Sequence, residues 1–95
     1  MSAYVIGHIR VRDPDAWETY RAGVAATLEP WGGEVLFRGA VTGVFSGAHE
    51  HEATVVIRFP DEDAVTGWYN SDAYQALLPV REQAADVTLI RYREL

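Results

Sequence analysis

The segment Thr54–Arg81, TVVIRFPDEDAVTGWYNSDAYQALLPVR, restricts the fold more than any other part of the chain. It begins as a β-rich run, Thr54–Phe59, that stops at Pro60, which has no amide proton to continue a ladder. Asp61 follows as a helix cap, and a short helix over Asp61–Tyr69 would turn Ala64, Val65 and Trp68 inward. Ser71 caps a second helical segment in which Tyr74, Leu77, Leu78 and Arg81 share a side. Pro79 falls inside that segment and predicts a kink or a restart, because proline removes a backbone bond and collides with the preceding turn. Gly67 is a poor helix former in the middle of the first helix.

The flanking elements follow from the same signals. Ala3–Arg12 (AYVIGHIRVR) reads as a first strand, with apolar bulk at both odd and even positions, which suits a strand covered on both sides. Asp13-Pro14-Asp15 is a helix start: a cap, a proline at the first helical position and a carboxylate at the positive end of the dipole. Trp17, Tyr20, Val24 and Leu28 then recur at helical spacing. Pro30 and Gly32-Gly33 end that helix, with Trp31 at the corner to close the end of the core. Glu34–Ser46 reads as a second strand interrupted at Gly39 and Gly43, where a bulge or bend is expected. Gly47–Glu52 is a polar turn, Glu52–Phe59 completes a hairpin, and Asp86–Arg93 is the last strand.

The order β–α–β–β–α–β predicts an α+β fold, a split βαβ arrangement with a four-stranded, mostly antiparallel sheet and helices on one face. If Val55, Ile57 and Phe59 meet the helices, parity sends Tyr4, Ile6, His8, Leu36, Arg38, Val56, Arg58, Ile90 and Tyr92 to the bare face. That much apolar surface reaches or exceeds the ~300–600 Å² patch a monomer tolerates. The expected partner is a second copy packed sheet to sheet, with Arg38, Arg58 and His8 as interface residues that need polar partners there.

Composition removes whole classes of function. The 95 residues suffice for one domain, residues 1–95, and a chain this short gains from a self-associating surface. Eight basic against fourteen acidic residues give a net charge of −6, which repels phosphate backbones and anionic lipid, so neither nucleic acid nor membrane is an expected partner. Every basic residue is arginine, which excludes Schiff-base lysine chemistry. The lack of cysteine excludes thiolate nucleophiles, disulfides and cysteine-based metal centres. Met1–Arg10 has no signal-peptide layout and no run is long enough to span a bilayer, so the expected location is the cytoplasm.

Trp17, Tyr20, Trp68, Tyr69 and Tyr74 are candidates to line a pocket for a flat or apolar ligand. Their spacing also suits plain helix-to-sheet packing, but each buried tyrosine hydroxyl wants a partner. Tyr69 is the one expected to reach a cavity. Arg81 has the fork geometry to hold an anionic group, or else pairs with Asp72 or Glu82. His8 is the only histidine within a predicted strand; it is either a proton-transfer residue or a satisfied interface histidine. His49-x-His51, flanked by Glu50 and Glu52, has the form of a two-histidine clip, but a metal centre needs further ligands and a second shell, and no metal site is expected. No nucleophile–base motif or phosphate-cradling loop is present.

AYVIGHIRVRDPDAWETY, PWGGEVLFRG and VVIRFPDEDAVTGWYNSDAYQALLPVR together resemble the domain-of-unknown-function family numbered 1330. The resemblance runs over nearly the full chain. Trp68-Tyr69-x-Ser71-x-x-Tyr74 with Arg81 is its most specific part, supported by Asp13-Pro14 and Gly32-Gly33. It implies the dimeric α+β barrel, two ferredoxin-like subunits joined through their sheets, whose relatives include cofactor-independent monooxygenases and isomerases. The reading that results is a small homodimer, without cofactor, that binds a small organic molecule. In it Trp17, Tyr20, Trp68, Tyr74 and Arg81 shape the pocket, and His8 or Tyr69 handles a proton. The alternative is a non-catalytic dimeric binding module that uses the same residues for packing.

Overall fold

A computed structural model describes residues 1–95. The elements are β1 (Ala3–Val11), α1 (Pro14–Leu28), a 3₁₀ turn (Glu29–Trp31), β2 (Glu34–Ala40), β3 (Ala53–Phe59), α2 (Glu62–Asn70), α3 (Asp72–Gln75), α4 (Leu78–Ala84) and β4 (Ala85–Arg93). The strands form one sheet in the order β2-β3-β1-β4, and every neighbouring pair is antiparallel. The helices cover a single face, leaving a slab whose Cα extent is only 16 Å in its thin direction. This is the α+β, ferredoxin-like arrangement that the order of elements predicts.

The caps sit where the sequence places them. Asp13 accepts from the amides of Asp15 and Ala16 at 3.1 and 3.2 Å, and Asp61 accepts from Ala64 at 2.8 Å. The Ser71 hydroxyl accepts from the Tyr74 amide at 3.2 Å and donates to the Trp68 carbonyl at 2.7 Å, so one side chain closes α2 and opens α3. Pro79 lies in the first turn of α4, where its missing amide proton costs nothing. The helical path therefore restarts at this proline.

Gly67 has a structural reason. A Cβ at this position would lie inside the Trp31 ring, so α2 can approach the corner after α1 only without a side chain here. The core lies between α1, α2 and the sheet: Val5, Ile57, Phe59, Tyr20, Val24, Leu28, Val65, Trp68 and Tyr74 are all buried. Trp31 packs against this cluster from the corner, as its position suggests.

The second strand corrects the sequence reading. β2 ends at Ala40, and Val41–Ser46 is not strand. The irregularity lies between Val35 and Phe37, not at the glycines: Val35 pairs with Ile57, Phe37 with Val56 and Arg38 with Val55. One extra residue reverses the parity of everything after it. Arg38 therefore joins Val55 on the helix-covered side, and Phe37 takes its place on the bare face. Gly39 belongs to that face for a steric reason, since a Cβ there would meet the Phe37 ring at 2.5 Å.

The rest of the bare face matches the parity argument. Tyr4 stands between Arg58 and Tyr92, Ile6 between Val56 and Ile90, and His8 between Thr54 and Thr88. Phe37, Ile90 and Tyr92 are 55, 38 and 44% exposed. Arg58 pairs with Glu34 of its own chain at 3.7 Å. No helix is long and apolar enough to cross a membrane.

Candidate functional site

An open cavity of about 290 Å³ lies between α2, α4 and the β1–β4 side of the sheet, walled by Trp68, Tyr69, Thr66, Arg81, Leu89 and Arg91 among others. α2 presents Thr66, Trp68 and Tyr69 from one turn. The restart at Pro79 aims α4 so that Arg81 reaches the same space, and the odd positions of β4 bring Leu89 and Arg91 under it.

Behind the cavity runs a hydrogen-bonded relay. Arg81 donates to the Tyr74 hydroxyl at 2.9 Å, and that hydroxyl lies 2.8 Å from the hydroxyl of Tyr20. Tyr74 is fully buried, with its ring 4.2 Å from Trp68 and 5.5 Å from Tyr69, centroid to centroid. The Trp68 indole donates to Thr27 Oγ1 at 3.0 Å, which anchors the wall to α1. Burial pushes the Tyr20 hydroxyl far above the ordinary tyrosine range, and the neighbouring Tyr74 adds to the effect. Tyr20 is therefore a fixed neutral donor or acceptor. Burial opposes the Arg81 charge, but Tyr74, Tyr20 and Tyr69 together outweigh it and hold the guanidinium charged. Its other contact, to Glu82, is long at 3.4 Å.

The charged side chains that line the cavity are basic although the chain is acidic, and each has one carboxylate at a distance, Glu82 at 3.4 Å from Arg81 and Glu62 at 3.9 Å from Arg91. Arg81 and Arg91 line it, and no aspartate, glutamate or histidine does. Arg91 is steadied by Thr66 Oγ1 at 3.1 Å and by the Glu62 carbonyl at 3.2 Å. The Tyr69 hydroxyl has no protein partner. A flat apolar body carrying one negative group would suit these walls, its ring against the exposed Tyr69 in front of the buried Trp68 and its anion toward the guanidiniums.

Of the residues singled out from sequence, Trp68, Tyr69 and Arg81 meet here. Tyr74 lies behind the wall as a support. Trp17 and Tyr20 line a separate hollow of about 30 Å³ on the far side of Trp68, together with Arg38. His8 is absent from both; it stands on the helix-free face of the sheet. Arg91 and Thr66 were not anticipated. The parity that put Ile90 and Tyr92 on the bare face sends Arg91 to the helices, so this arginine was within reach of the sequence argument.

The sequence matches the profile of the family described as "Domain of unknown function (DUF1330)" over residues 2–94. A search of curated proteins finds no match. Among solved structures, a protein of unknown function from Rhodopseudomonas palustris superposes with a TM-score of 0.84 at 19% identity, covering 99% of this chain and 82% of that one. A dimeric ferredoxin-like protein of unknown function from Thermobifida fusca gives 0.69 at 19% identity, covering 99% and 92%. SnoaB, a cofactor-independent oxygenase from Streptomyces nogalater, gives 0.69 at 12% identity, covering 99% and 93%. At these identities the likeness is one of fold.

Proposed function

This chain belongs to the DUF1330 family, and we propose that it acts as a homodimer that binds a small aromatic or apolar acid in the Trp68–Tyr69–Arg81 cavity. The observation that carries this reading is the inversion of charge. In a chain of net charge −6, the only charged groups lining the cavity are two arginines. A guanidinium already hydrogen-bonded on one side by Tyr74, and only loosely by Glu82, keeps capacity for an incoming carboxylate.

The chemistry served by such a site is oxidation or isomerisation without a cofactor, as the fold of SnoaB suggests by analogy. Tyr69 carries the unpartnered hydroxyl at the cavity and is the group to exchange a proton with the bound molecule. Arg81 and Arg91 orient the anion and stabilise negative charge that develops on it. Binding without turnover is the second reading. It is favoured by the lining itself, which contains no carboxylate or imidazole to act as a general base.

A thermal-shift and calorimetric screen of aromatic carboxylates against their neutral amides tests the site, because a ligand bound only by the native state raises the midpoint. The acids are expected to bind and the amides to bind at least about tenfold more weakly, the loss of one charge-assisted hydrogen bond. Arg91→Gln, on a half-exposed side chain, is expected to lower affinity by about the same factor with the fold intact. Tyr69→Phe is expected to weaken binding as well. Equal binding of acids and amides overturns the anion assignment. Turnover of a bound acid that Tyr69→Phe abolishes while binding persists selects the enzyme over the binding module.

A further inference from the structure

The three histidines of the chain meet at one end of the helix-free face. His8 comes from β1, with Thr54 and Thr88 beside it on the neighbouring strands. His49 and His51 come from the connection between β2 and β3, which folds back along the end of β1. Four contacts hold that connection down. The Glu52 amide donates to the Ile9 carbonyl at 3.0 Å and the Val41 amide to the Glu52 carbonyl at 2.8 Å. The Val11 amide donates to Glu52 Oε1 at 3.1 Å, and the Arg10 guanidinium to the Glu50 carbonyl at 2.5 Å.

The geometry points to an acid-released latch: the connection between β2 and β3 lies closed on β1 while His8 is neutral, and protonation of His8 drives it off. Ring centroids are 5.2 Å apart for His8–His49, 5.8 Å for His49–His51 and 6.2 Å for His8–His51. At such separations a second positive charge is repelled by the first. His8 Nδ1 is also buried and has no hydrogen-bond partner. In the neutral ring this atom can stay unprotonated, the proton resting on Nε2. The charged ring carries a donor at both nitrogens, and no acceptor meets the one on Nδ1.

The other groups around the cluster do not relieve that charge. From β3 the Thr54 hydroxyl is turned to the Gly7 carbonyl, at 2.9 Å, and Thr88 of β4 is neutral. On β1 Arg10 adds a positive charge, while the Glu52 carboxylate of the connection is engaged by the Val11 amide. Asp86 of β4 lies 3.7 Å from His51 Nε2, so it favours a proton on His51 rather than on His8. A cation on His51 then opposes one on His8. Burial, followed by His49 and His51, holds His8 below its ordinary 6.5 in the closed form. Lifting the connection away frees His8 toward that ordinary value, so the closed form binds fewer protons than the open one. The latch is therefore fully held above about pH 6.5 and weakens as the pH falls below it. The cluster shares no residue with the ligand cavity, so this inference stands apart from the proposed function.

The test is histidine titration by NMR on the full chain, with amide hydrogen exchange read at the same pH values. His8 is expected to titrate below 6.5. Between about pH 7.5 and about pH 5.5 the protection of the Glu52 and Val11 amides is expected to fall roughly tenfold, the scale of one like-charge contact at this separation. Amides at the centre of β1 should keep theirs, which separates local opening from loss of the whole fold. His8→Gln stays polar but cannot take the charge, and is expected to remove most of that pH dependence. His49→Gln, on an exposed side chain, takes away one opposing imidazole and is expected to raise the His8 midpoint, so the comparison stands even if His8→Gln unfolds. A His8 midpoint at or above 6.5, unchanged protection between the two pH values, or an equal loss in His8→Gln overturns the latch.

Discussion

At the scale of single residues, Gly67 shows how a poor local choice can be required by its surroundings. Replacing glycine by alanine within a helix ordinarily gains about 1 kcal/mol. Here the added methyl would enter the Trp31 ring, and overpacking of that kind costs ~1–3 kcal/mol. Gly67→Ala is therefore expected to lower the denaturant midpoint, whereas in a Trp31→Ala background the same change should be neutral or stabilising. Equal effects in both backgrounds would show that the ring is not the obstacle. Tyr20 gives a prediction in pH. Its hydroxyl stays protonated in the folded chain well above its ordinary 10.0, while the unfolded chain releases the proton near that value. The folded state then binds the extra proton, so stability is intact below about pH 10 and falls as the pH rises beyond it. Tyr20→Phe should flatten this alkaline loss, as read by chemical denaturation across the range; an unchanged slope would place the sensitivity elsewhere.

Among the elements, the joint between α2 and α3 matters most for the cavity, because it sets where Tyr69 and Arg81 stand. The Ser71 side chain makes two of the hydrogen bonds at that joint. Ser71→Ala is expected to cost ~1–2 kcal/mol, the usual range for a lost cap, and to loosen Tyr69. Urea unfolding measures the first effect and ligand affinity the second; a stability change below a few tenths of a kcal/mol would mean that the joint is held by packing alone. β2 teaches a different lesson. Its glycines suggested where the strand would be interrupted, yet the bulge formed two residues after the strand began. Phe37 then gained an open face with Gly39 beneath its ring, and Arg38 turned to the hollow beside Trp17 and Tyr20. A one-residue slip is invisible to composition, because either register buries something apolar.

On the scale of the whole molecule, a single layer of helices leaves half of the sheet uncovered. Phe37, Ile90 and Tyr92 are exposed there, and Phe45 projects fully from the β2–β3 connection. Exposed apolar side chains gathered on an uncovered sheet face are the kind of surface that marks an interaction site. Sedimentation is expected to show a species of twice the 10.6 kDa chain mass at micromolar concentration. Ile90→Glu combined with Phe37→Glu should convert it to a folded monomer, since a desolvated, unpaired carboxylate at such an interface is strongly unfavourable. A stable monomer of the unaltered chain would remove the dimer from the proposal while leaving the cavity within one subunit.

The order of the elements, their caps, the restart at Pro79 and the facing of β1, β3 and β4 were all legible in the chain. All of these follow from short-range rules: proline lacks a proton, a capping oxygen reaches two or three residues, and strand side chains alternate. The sequence also held the tyrosines and Arg81 in one amphipathic stretch, which is why three of the cavity walls could be named in advance. The parity of β2, the separation of Trp17 and Tyr20 from the cavity and the meeting of His8 with His49 and His51 emerged only on packing. Those outcomes depend on how strands distant in sequence slide and pack against one another. That choice is made by the packing of whole faces, which no local spacing encodes.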